Sequence, residues 1–324
     1  MDSQSKLPTS HGVHPELHGS RNSPTAMYMA FSPPFHYDAD AGAFVGGQFL
    51  DGRAASLEEQ AKQPFLNPIE MANTSKAQVI AKIRVATYAT LFRKVFGATS
   101  LDDTDAAYDR VAEAIAAYER SPALSFFSSK YDAWLAGRVA LTAQEQSGLT
   151  IFERPDKGNC AACHPSRPSA DGTPPLFTTF KYENIGTPKN PANPFYAMPA
   201  KYNPAGANFV DLGLGGPTGL ASENGKFKVP TLRNIVITLP YTHNGYFTDL
   251  RSAVDFHNTR DLKPACIGDK VSLATAKLKN CWPAPEVSSN VNHTALGNLG
   301  LAAAEVDDLV AFLSILTDGW VPPP

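Results

Sequence analysis

Cys160-Ala161-Ala162-Cys163-His164 is the stretch of this chain whose residue types and spacing point to the most specific chemistry. Two thiols two residues apart can add across the two vinyl groups of a porphyrin while the next imidazole meets the iron, so the pattern reads as attachment of a c-type haem. A zinc site would want a second ligand pair nearby, and a thioredoxin-like redox site would not need the histidine. Haem is attached on the extracytoplasmic side, where disulfides persist, so Cys266 and Cys281 are expected to form a disulfide closing a surface loop. Met198 is the only methionine after the motif, so a His/Met iron site would have to use it.

Helices must position these groups. Thr142-Ala143-Gln144-Glu145 has the form of a capping box ahead of Leu149, Ile151 and Phe152, which places a helix directly before the haem motif. From Ser75 to Gly97 the apolar residues Val79, Ile80, Ile83, Leu91, Phe92 and Val95 predict one long core helix with a glycine stop. Tyr108, Val111, Ile115 and Tyr118 predict a second helix from about Thr104 to Arg120, ended by Ser121-Pro122. A last helix, near Ala302 to Thr317, is expected to bury Val306, Leu309, Val310, Leu313 and Leu316 and to stop at Gly319. Between Pro165 and Arg251 the chain is rich in Pro, Gly and Asn with no sustained period, and a buried macrocycle would give such loops a surface to pack on. The expected fold class is mostly α, with two helical domains, 1–135 and 136–324.

Bulk composition narrows the function. A chain of 324 residues with 43% hydrophobic and 18% charged residues can bury a sizeable core. Its 28 Lys+Arg against 31 Asp+Glu leave a charge of -3 without a basic run, so nucleic acid is not an expected partner. No stretch approaches the ~18 apolar residues of a membrane span, and the polar start shows no signal peptide.

Beyond the haem motif, several stretches resemble the bacterial di-haem cytochrome c peroxidase family and its relative MauG. They are Phe177-Thr178-Thr179-Phe180, Asn184-Ile185-Gly186, Asp211-Leu212-Gly213-Leu214-Gly215 and the run from Gly225 through Val229-Pro230-Thr231-Leu232-Arg233-Asn234, followed by Pro240-Tyr241-Thr242-His243-Asn244-Gly245. Upstream, Arg21-Asn22-Ser23-Pro24-Thr25, Asp51-Gly52-Arg53-Ala54, Gln60 and Asn67-Pro68-Ile69-Glu70-Met71 resemble the family's first domain, so the likeness runs over nearly the whole chain.

The resemblance implies two cytochrome c-like domains, and it places the distal ligand of the Cys160/Cys163 haem at His257, where peroxidases carry Met and MauG-like members Tyr. Ligation by His164 and His257 would give a low-spin haem of comparatively low potential. Gln60 and Glu70 match the peroxide pocket, with Glu70 as acid/base, and are expected to converge on a cavity sized for a second haem. Asn22, Thr238 and Pro240 match a calcium site between the domains, and neutral oxygen donors imply modest affinity. His243 matches the inter-haem region, and one of His11, His14 and His18 could correspond to a switchable ligand of the first haem. That first haem would need another Cys-x-x-Cys-His ahead of a segment like that from Asp2 onward, so the expectation is a chain that starts too late to include it. The chain also has Leu50 where the family usually has Trp, so electrons would tunnel directly or use Tyr241 or Phe49. The implied function is a periplasmic peroxidase, fed by a small cytochrome or cupredoxin, which reduces hydrogen peroxide, with a homodimer as one possible assembly. A MauG-like oxidase of a protein substrate and a mono-haem electron carrier are the alternatives.

Overall fold

The computed structural model describes residues 7–268 and 270–322; Asp2, from which the family likeness runs, lies outside them. A two-stranded ribbon of β1 (His36–Asp38) and β2 (Ala43–Val45) precedes the helices α1 (Leu57–Leu66), α2 (Lys76–Arg84), α3 (Ala89–Phe96) and α4 (Thr104–Glu119). There follow α5 (Lys130–Leu135), α6 (Ala143–Glu153), β3 (Tyr182–Glu183), the one-turn α7 (Gly215–Thr218), and β4 (Phe227–Lys228), which pairs antiparallel with β3. The chain closes with α8 (Leu250–Thr259), α9 (Leu273–Leu278) and α10 (Ala303–Ser314), so the fold is mostly helical, as the sequence predicts.

Local chemistry accounts for most of the helix starts. The side chains of Ser56, Ser75, Asp103, Ser129, Thr142, Asp249 and Ser272 each accept a backbone N–H of the first turn, satisfying donors that have no partner inside the helix. The capping box at Thr142 and Glu145 forms, and α6 follows it. α4 and α10 also run close to their predicted spans.

The long helix predicted over Ser75–Gly97 is instead two helices, broken at 85–88. On a straight helix Ile83 and Phe92, nine residues apart, would point about 180° from each other. The break lets both join Val79, Ile80, Leu101 and Tyr108 in one core cluster. Leu91 and Val95, predicted to be inside, are 61% and 66% exposed as a result. Tyr118, whose spacing helps to predict α4, is exposed at the end of that helix.

A second cluster joins α6 and α10 through Leu149, Phe152, Leu309 and Phe312, with Tyr131 of α5 and Phe177 packed into it. The two helices approach so closely at Gly148 that a Cβ there would lie 2.1 Å from the carbonyl oxygen of Asp308. The irregular segment after residue 165 is held by asparagines whose amides replace ladder hydrogen bonds. Asn184 donates to Val287 O and Ser289 O, Asn190 to Asn244 O, Asn193 to Ser20 O, and Asn244 to Pro188 O. These loops therefore satisfy their buried backbone groups without regular structure. Cys266 and Cys281 form the expected disulfide. No helix among the described residues is long and apolar enough to cross a membrane.

Candidate haem-binding site

The end of α6 delivers the motif. Glu153 closes the helix, Gly158 lies so near Ile151 that a Cβ would meet its carbonyl at 2.4 Å, and Asn159 turns the backbone through the left-handed region at φ 50°. Cys160–Ala162 then form a single 3-10 turn, and His164 N donates to Cys160 O at 2.9 Å. Both cysteines are free and open onto one cavity of about 310 Å³, within the size range of cofactor pockets. Burial pushes the Cys160 thiol up to about 12 and the Cys163 thiol up to about 11. Both are neutral thiols at pH 7.

His164 and His257 line the same cavity. The Nδ1 of His164 lies 2.7 Å from Phe177 O, and the Nδ1 of His257 lies 2.7 Å from Ala253 O one turn back in α8. A carbonyl only accepts, so each Nδ1 carries the proton and each neutral ring keeps an unprotonated Nε2. Burial holds the His164 imidazole down at about 4, with a smaller contribution from nearby His257, and burial likewise lowers His257. Protein surrounds both rings, yet each keeps some surface open to the cavity. The remaining walls are largely apolar, including Val229, Leu232, Val254, Leu299 and Leu313. Two thiols, two neutral imidazoles and an apolar enclosure fit a covalently held haem.

Met198, the alternative ligand, is not in this cavity; it packs against Leu17 and Phe195, and its sulfur accepts from His18 N at 3.4 Å. Asn22, Thr238 and Pro240 all line the cavity. The Asn22 amide donates to Pro240 O at 2.6 Å, while the Thr238 hydroxyl donates to Ile235 O at 3.1 Å. Gln60 lies on α1 and Glu70 in the turn after it, and neither reaches the cavity. The Glu70 carboxylate accepts from Asn67 Nδ2 at 2.8 Å, and burial raises it above the usual carboxylate range. His11 and His18 pair edge to face with ring centroids 6.3 Å apart. His14 lies in the turn between them, its carbonyl accepting from Leu17 N at 2.9 Å.

Leu50 and Tyr241 line the cavity wall, while Phe49 carries the Arg53 guanidinium 3.6 Å above its ring. His243 stacks on Phe227 with centroids 3.7 Å apart, and its Nε2 lies 3.6 Å from Glu286 Oε2.

A sequence model described as di-haem cytochrome c peroxidase matches residues 2–140. The methylamine utilization protein MauG of Paracoccus denitrificans is 42% identical over 317 residues, covering 96% of this chain and 78% of that protein. The chain belongs to the di-haem cytochrome c peroxidase family. Cytochrome c551 peroxidase of Nitrosomonas europaea is another relative, 36% identical over 234 residues, and the match covers 72% of this chain and 60% of that protein. Among solved structures, the diheme peroxidase BthA from Burkholderia thailandensis aligns with a TM-score of 0.76 at 32% identity, over 96% of this chain and 75% of that one. Members of this family are peroxidase-like oxidoreductases.

Sequence reasoning missed three neighbours of the site. Lys228 is buried with its Nζ 2.5 Å from Gly47 O, and burial lowers its amine to about 7. Arg233 is buried against Asp132, and the Phe177 carbonyl orients His164. The lone arginine in the segment Val229 to Ile235 was the one available signal.

Proposed function

We propose that the chain would hold one haem c through Cys160 and Cys163, with His164 and His257 as the imidazoles that would meet its iron, and serves a peroxidase that reduces hydrogen peroxide. The observation that carries the reading is the pair of neutral imidazoles, each tied through Nδ1 to a backbone carbonyl, opening onto one apolar cavity beside two free thiols. When bound, the haem supplies one-electron redox chemistry. Peroxide reduction consumes two electrons and two protons and yields two waters, so the electrons come from a small donor protein of the cytochrome or cupredoxin class. Glu70 is the group that takes the proton from one peroxide oxygen and returns it to the leaving oxygen, with Gln60 of α1 as its companion. Asn22, Thr238 and Pro240 supply neutral oxygens for a calcium ion at the junction. Thioether formation and the Cys266–Cys281 disulfide support a periplasmic location.

Peroxide needs an iron with an open coordination position, which His164 and His257 together do not leave. Of the four cysteines in this sequence, Cys266 and Cys281 are consumed by the disulfide, so the chain's own thiols hold a single haem. The 324-residue chain loaded with one haem is therefore expected to be a low-spin electron carrier with little peroxide turnover. A form that also carries a first-domain Cys-x-x-Cys-His is expected to turn over and to lose ~10²–10⁴-fold in rate on Glu70→Gln. A denatured haemochrome spectrum and a steady-state peroxide assay check both points. Strong turnover by the one-haem chain, or a spectrum without the c-type band, would overturn the reading. The 42% identity to MauG favours a second reading, oxidation of a protein substrate. In the form that also carries a first-domain Cys-x-x-Cys-His, His257→Met and His257→Tyr separate the two, since peroxidase function should survive the first better than the second.

A further inference from the structure

We propose that the buried pair Arg233 and Asp132 is a positioning device for His164, fixing the backbone strap whose carbonyl orients the imidazole and thereby setting the reduction potential of the haem. The inference rests on reading His164 as an iron ligand.

The chain of contacts begins at the ring. His164 Nδ1 donates to Phe177 O at 2.7 Å, and an acceptor on that nitrogen makes the opposite one a stronger electron donor. Phe177 holds this carbonyl in place with φ 52°, a left-handed conformation that a residue with a bulky side chain avoids unless its surroundings impose it. Those surroundings are a set of hydrogen bonds on either side. Arg233 Nε donates to Pro175 O at 2.7 Å, Thr231 Oγ1 to Leu176 O at 2.7 Å, and Thr178 Oγ1 to Val229 O at 2.6 Å.

Among these bonds, that of Arg233 is charged and reaches furthest into the fold. Its other two nitrogens grip Asp132 at 2.9 and 2.8 Å, and Asp132 also accepts from Ser129 Oγ at 2.6 Å. Although Arg233 borders the haem cavity, all three of its nitrogens are engaged by Pro175 and Asp132, and its side chain has no solvent exposure. Phe127 covers the guanidinium at 4.5 Å. Tyr131, beside Asp132 on α5, packs edge-on against the Phe177 ring at 5.3 Å. Helix α5, the strap and the segment before Asn234 are thus locked as one unit behind His164. A buried ion pair is a weak source of net stability, because desolvation offsets its attraction. Placing one here is better accounted for by the geometry it imposes on the strap.

The test is a potentiometric titration of the holoprotein. Asp132→Asn keeps the shape but removes the charge that fixes the guanidinium. Arg233→Lys keeps a charge but cannot bond Pro175 O and both Asp132 oxygens together. Both variants are expected to raise the haem potential, Arg233→Lys more, with the low-spin spectrum retained, since a looser Nδ1 contact makes His164 a poorer donor. Ile80→Ala, in the separate cluster around α2 and α4, loses stability without touching the strap and should leave the potential where it is. Should Arg233→Lys fail to fold, Ser129→Ala removes the hydroxyl donor to Asp132 and gives the same test in milder form. Unchanged potentials in folded variants, or an equal shift in Ile80→Ala, overturn the proposal. A wild-type holoprotein whose native spectrum lacks the low-spin bis-imidazole signature overturns the ligation reading instead, so the two failures are distinguishable.

Discussion

Glu70 is a residue whose setting decides its chemistry. Burial raises its carboxyl, against the opposing pull of Arg53 and the Asn67 amide. Its folded value therefore lies above the unfolded one, so the protonated form favours folding. That contribution is full below the unfolded value of ~4.3 and is lost as pH rises through the folded value. Glu70→Gln, which cannot ionise, is thus expected to raise the melting temperature at neutral pH and to leave it unchanged near about pH 3, where both side chains are neutral. Thermal melts at the two pH values measure this, and an equal gain at both would count against it. The same protonation bias suits a group that must hand a proton to a leaving oxygen.

At the scale of elements, the approach of α6 to α10 positions the haem motif, because Cys160 follows α6 by a short turn and Leu309 and Leu313 of α10 line the cavity. Gly148 sets that approach. Gly148→Ala would place a methyl 2.1 Å from the Asp308 carbonyl, so the helices must separate or the backbone must shift. Overpacking of this kind costs about 1–3 kcal/mol, and denaturant unfolding should show a loss in that range or above. Haem loading should fall with it, since the displaced helix carries the motif. No loss of stability would mean that the crossing tolerates more room than its geometry indicates.

Across the whole molecule, the N-terminal segment is tied to the haem-bearing part by charge. Arg21 is ion-paired to Asp51 at 2.6 Å and bidentate to Asp211 at 2.6 and 2.7 Å, and both carboxylates are about 5% exposed. Arg21→Ala leaves two buried carboxylates short of their partner. Breaking a buried pair in this way typically costs ~3–5 kcal/mol, which chemical denaturation would detect. The adjoining Asn22, held to His243 O and Pro240 O, would lose its anchor as well, so any calcium affinity of that junction should weaken in parallel.

What the sequence by itself determined is what neighbouring residues settle among themselves. The capping box at Thr142 and Glu145, the spans of α4 and α10 and the pairing of the two spare cysteines could all be read in advance, because each follows from short-range hydrogen bonding, helical periodicity or elimination among four thiols. The tertiary structure decided what depends on distant partners. The nine-residue spacing of Ile83 and Phe92 sets them on opposite sides of a straight helix, but the core with Leu101 and Tyr108 that both enter is seen only in the fold, where the helix is broken to let them meet. Whether Met198 or His257 faces Cys160 depends on how the asparagine-pegged loops fold back, since either side chain could ligate iron. The contact of Arg233 with Asp132 spans 101 residues, and nothing at either position announces the other. Periodicity and spacing report on the nearest turn of the chain, whereas the site is closed by contacts made across it.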